Sequence, residues 1–397
     1  MNYRIFGGLL IIIALAIFGT VLYKNSQKAH EPIIYSPTFM LSALWASYKT
    51  NYIEASSGRT VDTQRNNITT SEGESYTMLR AVEADDKGTF DKSWQWTRQN
   101  LQRNDNLFSW LYGQKPDGSY GILINEGGQN TATDADTDIA LALLFASQRW
   151  GDNSYADEAK KIIPAIWDEE VVEINGTPYI TADNIEKTAK GQIILNPSYF
   201  APYAYRIFAE IDTAHPWPKL IDSSYLVLNQ SLLTPLDKKS TAHIPPDWVS
   251  LTLTDASLVP AITASTSTSN FGYDALRIPF RIALDYQWNQ EPKARQFLDQ
   301  LNFLHTEWQN NHKFVSTYGH DGTPLTDTEA PAMYGGTLGY FMIENPDAAK
   351  SMYIDKLQSL YSPDAQDWKQ KLSYYDDNWA WFGMALYNGK LINYYSH

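Results

Sequence analysis

The stretch Ala132-Thr-Asp-Ala-Asp-Thr-Asp-Ile-Ala-Leu-Ala-Leu-Leu-Phe-Ala-Ser-Gln-Arg-Trp150 joins a knot of carboxylates to the cleanest helical pattern in the chain. Ile139, Leu143, Ala146 and Trp150 recur at three and four residues, so one face is apolar and should be buried. Asp134, Asp136 and Asp138 fall at the helix entrance. Unpaired backbone N–H groups and the positive end of the helix dipole favour acids there, and Thr133 or Asp134 can serve as N-cap. Capping accounts for one or two of these acids better than for three. Asp134 and Asp138, four apart, share a face and repel unless solvent, a cation or a substrate lies between them. A calcium loop of the EF-hand type requires Gly and Glu where this chain has Ile139 and Phe145, which removes that reading.

Further helical patterns cover roughly 37–53, 73–85, 88–103, 153–167, 197–211, 216–232, 271–288, 291–310, 335–343, 346–361 and 377–387, separated by Gly, Pro and Asp/Asn-rich breaks. Strand signals are few, Thr177-Pro-Tyr-Ile-Thr among the better ones. About a dozen helices without sustained alternation predict one all-α domain. Long polar loops at 112–131 and 235–269 are where specificity would sit.

Ahead of this domain, Phe6 to Tyr23 is uncharged and almost wholly apolar, with Arg4 before it and Lys24 and Lys28 after it. It is just long enough to cross a bilayer, and the following Lys24-Asn-Ser-Gln-Lys-Ala-His is a poor cleavage site. The expected organisation is a transmembrane signal-anchor at 1–24 spanning the membrane through residues 6–23, a linker at 25–36, and the helical domain at 37–397. The usual habit of a short cytoplasmic tail would leave the domain extracytoplasmic at the cell membrane; secretion after signal cleavage is the alternative.

Charge and residue types narrow the chemistry. A net charge of −14 and a pI near 4.9 argue against nucleic acid. The 13 Trp and 26 Tyr exceed what a core requires and suit the apolar faces of sugars, although an aromatic core must absorb most of them. There is no Cys, the seven His lack paired-ligand spacing, and no GxSxG or phosphate-binding loop occurs, so no metal or other cofactor is expected.

What remains is carboxylates at helix starts, with tyrosines and tryptophans. In Thr69-Thr-Ser-Glu-Gly-Glu-Ser, Ser71 and Glu74 fit a capping box, while Glu72 sits beside Gly73, whose missing side chain would let another molecule approach. Glu72 also reads as an ordinary solvated acid. Asn196-Pro-Ser-Tyr-Phe-Ala-Pro-Tyr places Tyr199 and Tyr203 four apart, either on a shared functional face or in the core. In Tyr273-Asp-Ala-Leu-Arg-Ile-Pro, Asp274 and Arg277 would also make an ordinary surface pair, and Pro279 should interrupt or kink its helix. Two acids with aromatic neighbours suit glycoside hydrolysis, in which one acid protonates the leaving oxygen and a second carboxylate activates water.

These motifs resemble glycoside hydrolase family 8. The 132–150 stretch is similar to that family's signature, Ser71-Glu-Gly to the segment bearing its general acid, and Asn196-Pro-Ser-Tyr, Tyr273-Asp-Ala-Leu-Arg277 and Tyr374-Tyr-Asp-Asp-Asn-Trp-Ala-Trp-Phe382 to further blocks in order. The resemblance runs from about residue 37 to the C-terminus. It implies an all-α (α/α)6 barrel with a groove across one end, and an inverting endo-acting hydrolase of β-1,4-linked polysaccharide that needs no cofactor. It makes Glu72 the general acid and Asp274 the general base. Asp134 would hold and distort the sugar, Tyr199 and Arg277 would position water and base, and Trp110, Tyr374 and Tyr375 would touch sugar.

For that role Glu72 must stay protonated near neutral pH against the helix start, through desolvation or a negative neighbour such as Asp134. Family members that keep Asp in the Tyr-Asp-Ala block resemble cellulases and xylanases, so Asp274 favours a cellulose-like glucan. The segments Gly113-Gln-Lys-Pro-Asp-Gly-Ser-Tyr and Glu126-Gly-Gly-Gln-Asn depart from the family pattern. The expectation is a membrane-anchored endo-β-1,4-glucanase, with trimming of polysaccharide beside an exopolysaccharide synthesis and export machinery as its setting. Xylanase or chitosanase specificity on the same scaffold, and a non-catalytic glycan-binding protein, are the alternatives.

Overall fold

The computed structural model describes residues 36–261 and 269–395. Its helices, in chain order, are α1 (Pro37–Tyr52), α2 (Ser71–Glu83), α3 (Lys87–Asn100), α4 (Thr133–Trp150), α5 (Asn153–Glu170), α6 (Pro202–Ile211), α7 (Trp217–Leu233), α8 (Arg277–Asn289), α9 (Pro292–Leu298), α10 (Asn302–Asn311), α11 (Pro331–Glu344), α12 (Pro346–Met352) and α13 (Tyr374–Tyr387). The helical packing belongs to the unit Leu41–His397. The apolar segment 6–23 lies outside the described residues, and no helix among them is long and apolar enough to cross a membrane.

Sequence pattern sorts the helices into two kinds. In α4 every residue from Thr133 to Ser147 is buried, so it must lie inside the molecule. Its successor α5 buries Tyr155, Ala159, Ile162, Ile163 and Ile166 and turns Lys160 and Lys161 to solvent, as an outer helix does. The inner helices follow one another in a ring: α2 packs on α4, α4 on α6, α6 on α8, α8 on α11, and α11 on α13. Arg80 to Asp377 at 3.0 Å, with Tyr76 edge-on to Trp379 and Phe382, brings α13 back to α2. Outside them α3, α5, α7, α9 and α12 each back the inner helix next to it in sequence. The sixth outer position is taken by α1, through Tyr48 Oη on Thr77 Oγ1 (3.2 Å) and Trp381 Nε1 donating to Leu41 O (3.1 Å). Two concentric rings of six helices make an (α/α)6 barrel.

The closest approach in the ring is α11 against α13. A Cβ on Gly335 would stand 1.9 Å from the Trp379 carbonyl oxygen, and Gly383 faces Gly335 in the same contact, so only glycine lets these backbones meet.

Several local expectations change. The 291–310 pattern breaks between α9 and α10, and 346–361 continues beyond α12 as a π-turn at Tyr353–Leu357 and a 3-10 turn at Gln358–Leu360. The 197–211 pattern splits into a 3-10 turn, Pro197–Tyr199, and α6. Pro279 does not interrupt α8, because it falls in the first turn, where backbone N–H groups have no partner within the helix to lose. Strands are more numerous than expected but short: β1 (Thr69–Thr70), β2 (Leu111–Gln114) and β3 (Tyr120–Ile122) form one antiparallel sheet, and β6 (Gln192–Leu195), β7 (Val249–Thr252) and β8 (Leu258–Pro260) another. The pair β4 (Val171–Ile174) and β5 (Thr177–Ile180) contains the Thr177 strand expected from sequence.

The three acids of α4 find three different partners. Asp138 makes a two-pronged pair with Arg281 of α8 (3.0 and 2.7 Å), which also donates to Tyr203 Oη at 2.7 Å. Asp134 meets Arg277 one turn earlier on the same helix, at 2.9 Å. Asp136 faces outward and accepts from Phe108 N at 2.8 Å. The cations that separate Asp134 from Asp138 thus belong to the protein. Neither Thr133 nor Asp134 is the N-cap; that position is Ala132, with no side-chain cap.

Replacing Asp138 by Ala would leave Arg281 charged and buried without its carboxylate, and should lower the unfolding free energy by about 3–5 kcal/mol. Asp157→Ala, which breaks an exposed pair with Lys160, should change it by less than about 1 kcal/mol. Urea denaturation compares the two; equal midpoints would refute the structural weight of the Asp138–Arg281 pair.

Candidate active site

The inner helices α2, α4, α8 and α13 start at the same end of the barrel, and Arg277 at the start of α8 is their meeting point. Its side chain is 1% exposed. Nη1 donates to Glu72 Oε2 at 2.8 Å and to Asp134 Oδ2 at 2.9 Å, and Nη2 donates to Asp274 Oδ1 at 2.5 Å. The Tyr199 ring lies against the guanidinium, 5.1 Å from its carbon. Five of the residues expected from sequence therefore converge. The Asp274–Arg277 pair is no surface pair, because its cation is buried.

Glu72 and Asp274 keep partial access to solvent, 23% and 31% of their side chains, whereas Asp134 keeps 2%. Sitting on opposite nitrogens of one planar guanidinium, the two accessible carboxyls approach within about 8 Å of each other. Burial pushes Glu72 up to about 7; Arg277 opposes this, and the charges of Asp134 and Asp274 add to it. Burial also raises Asp134.

The α2 start differs from the capping box read in the sequence. Thr70 is the N-cap and accepts from Gly73 N at 3.0 Å. Glu74 instead turns away and accepts from Thr60 N (2.7 Å) and Ser93 Oγ (2.6 Å), tying α2 to α3. Gly73 has an internal reason too: a Cβ there would lie 2.6 Å from the hydroxyl of Tyr374, which is 5% exposed and packs edge-on to Tyr52. Tyr374 thus supports the floor of the site from below.

Two residues that sequence reasoning passed over hold Asp274. Trp248 Nε1 donates to Asp274 Oδ2 at 3.0 Å, and its ring stands edge-on to Tyr199. Asp247 Oδ1 accepts from the backbone N–H of Gly272 (3.1 Å), Asp274 (3.1 Å) and Ala275 (2.7 Å), fixing the turn that presents Asp274. Burial, with the charge of Asp274, raises Asp247 well above the usual range. Both lie in the 235–269 loop, where no periodicity marked them. Tyr76, one turn along α2 from Glu72, accepts from Arg277 Nη1 at 3.4 Å and was missed inside an apolar pattern.

The remaining candidates rim this centre. Trp110 is half-buried against Ile68, Leu111 and Leu123, donates through Nε1 to Gly127 O at 3.0 Å, and offers its carbonyl to Ser71 N at 3.0 Å, next to Glu72. Tyr375 is half-buried; its hydroxyl donates to Tyr273 O and its ring stands edge-on to the exposed Tyr273 ring.

A barrel of this kind, with two partly open carboxyls flanking a buried arginine and aromatic rings around them, has the groups that glycoside hydrolysis uses. The sequence profile described as glycosyl hydrolases family 8 matches residues 25–336, and the chain belongs to that family. It is 32% identical over 249 residues to an endoglucanase of Cellulomonas uda, covering 62% of this chain and 64% of that protein. It is 31% identical over 312 residues to endoglucanase C of Ruminiclostridium cellulolyticum, covering 75% and 62%. The match thus spans less than two thirds of either relative's own length. Among solved structures, an endo-1,4-D-glucanase from Vibrio fischeri aligns with a TM-score of 0.69 and 25% identity over 87% of this chain and 94% of that one.

The packing beneath Glu72 is testable without substrate. Gly73→Ala should lower the melting temperature by forcing its Cβ onto the Tyr374 hydroxyl, and the double variant Gly73→Ala, Tyr374→Phe should recover part of the loss. Additive losses in the double variant would contradict the contact.

Proposed function

We propose that this chain is an endo-β-1,4-glucanase that cuts a neutral, cellulose-like glucan by single displacement. The observation that carries the proposal is the pairing of Glu72, raised to about 7 by burial, with the accessible, doubly hydrogen-bonded Asp274 across one buried guanidinium. The Glu72 proton passes to the glycosidic oxygen as the C1–O bond breaks. A water molecule attacks C1 from the opposite face and gives its proton to Asp274, so configuration inverts. Asp134 and Arg277 hold the scission-point sugar and the two acids in register. Tyr199 and Trp248 orient the base, while Trp110 and Tyr375 offer sugar-facing rings; Tyr374 is too buried to join them. The names of the relatives support a glucan as substrate, and Asp in the Tyr273-Asp274 block supports the cellulose-like choice. No metal or cofactor takes part in these steps.

Glu72→Gln should reduce release of reducing ends from carboxymethylcellulose by about 10²–10⁴-fold while glucan binding persists. With the wild type, kcat should fall as pH rises through about 7, because the acid is active only while protonated and its range has been moved up from 4.5. Activity that climbs steadily beyond pH 8, or faster cleavage of xylan or chitosan than of glucan, would overturn the assignment.

We also propose that residues 6–23 anchor the chain in the cell membrane with the catalytic domain outside, beside machinery that makes or exports a polysaccharide; uncharged apolar composition over that length supports it. The full chain should sediment with membranes after a high-salt wash, and a chain beginning at residue 37 should not. Recovery of the full chain in the soluble fraction would refute the anchor.

A further inference from the structure

We propose that the β2–β3 hairpin carries a second, remote glucan-binding site centred on Tyr120, which rests on the glucanase reading above and extends it. In the sheet, Thr69 pairs with Tyr112, Tyr112 with Ile122, and Gln114 with Tyr120, so Tyr112 and Tyr120 project from the same face. Leu111 projects from the other and packs on Ile68 and Leu123. Tyr120 is 45% exposed, yet its ring is not loose: it stacks on Tyr112 (6.3 Å, 29°), and Tyr112 stands edge-on to Trp96 at 5.1 Å. The Arg59 guanidinium lies 5.1 to 5.9 Å from all three ring centroids and is fixed by a 2.8 Å bond from its Nε to Thr69 Oγ1.

Beside Tyr120 opens a surface recess of about 500 Å³, walled also by Asn51, Glu54, Thr63 and Asn67, with the buried Arg59 behind it bonded to Thr69, Glu54 and Asn67 O. A flat ring next to amide, hydroxyl and carboxylate groups is a surface that a neutral pyranose can use: the ring takes the apolar C–H face, and the polar groups take the hydroxyls around its edge. Position supports this occupant. Strand β1 runs directly into Ser71 and Glu72, and β3 lies two strand spacings, about 10 Å, from it, within the reach of a glucan several residues long. A glucan long enough to reach from the Glu72 groove to Tyr120 gains this second contact, so the site selects long chains over short ones.

The test uses Glu72→Gln protein, which binds without turnover, titrated calorimetrically with β-1,4-linked glucose hexamer and trimer. Adding Tyr120→Ala should weaken hexamer binding five- to tenfold and leave trimer binding within twofold. Tyr120→Phe, which keeps the ring, should bind the hexamer like its parent. Unchanged hexamer affinity, or equal losses for both lengths, overturns the remote site while the glucanase assignment stands. No binding of either oligomer to the Glu72→Gln parent overturns both.

Discussion

The interior of this barrel depends on a ladder of two aspartate–arginine pairs. Asp134 and Asp138, one turn apart on α4, face Arg277 and Arg281, one turn apart on α8, in a core filled mostly by aliphatic and aromatic side chains. A charge buried there without its mate is strongly unfavourable, so the pairs discriminate against any other register between the two helices. The lower rung is closed off by Tyr203 and serves the fold. The upper rung opens, through Arg277, to Glu72 and Asp274, so the same device that aligns the helices holds the two carboxyls proposed as acid and base.

Acidity at the site follows from a contest of effects. The α2 N-terminus and Arg277 both favour ionised Glu72, while desolvation and the neighbouring Asp134 and Asp274 disfavour it. Desolvation is the largest, and the acid is held near neutrality. Asp274 accepts from Trp248 Nε1 on one oxygen and from Arg277 Nη2 on the other, so its orientation is fixed from two sides.

Glu74 and Asp136 show the same chemistry used for construction. Each sits two residues from a carboxyl that meets Arg277, on the same helix start, and each is buried. Glu74 binds Thr60 N and Ser93 Oγ, and Asp136 binds Phe108 N, so both acids fasten the segments that wall the groove. Burial raises both, Glu74 to about 7 and Asp136 well above the usual range, with Glu170 adding to the second. An acid near a helix start in this chain is therefore no evidence of catalysis by itself; what separates Glu72 from Glu74 is access to the groove.

The sequence alone determined what local pattern can carry. Apolar recurrence at three and four residues marked nearly every helix, because burial of a helix face imposes that period. Motif order singled out Glu72, Asp134, Tyr199, Asp274 and Arg277, which the structure brings together around one guanidinium, because these residues sit at or near helix starts with recognisable neighbours. Tertiary structure alone decided which acids meet which cations, since the partners of α4 lie 143 residues away in the chain. It also decided that Gly73 makes room for Tyr374 rather than for a ligand, and that Asp247 and Trp248 brace Asp274. Those contacts come from residues far apart in sequence and carry no period, so they become visible only when the ring of helices closes and brings their ends to one face.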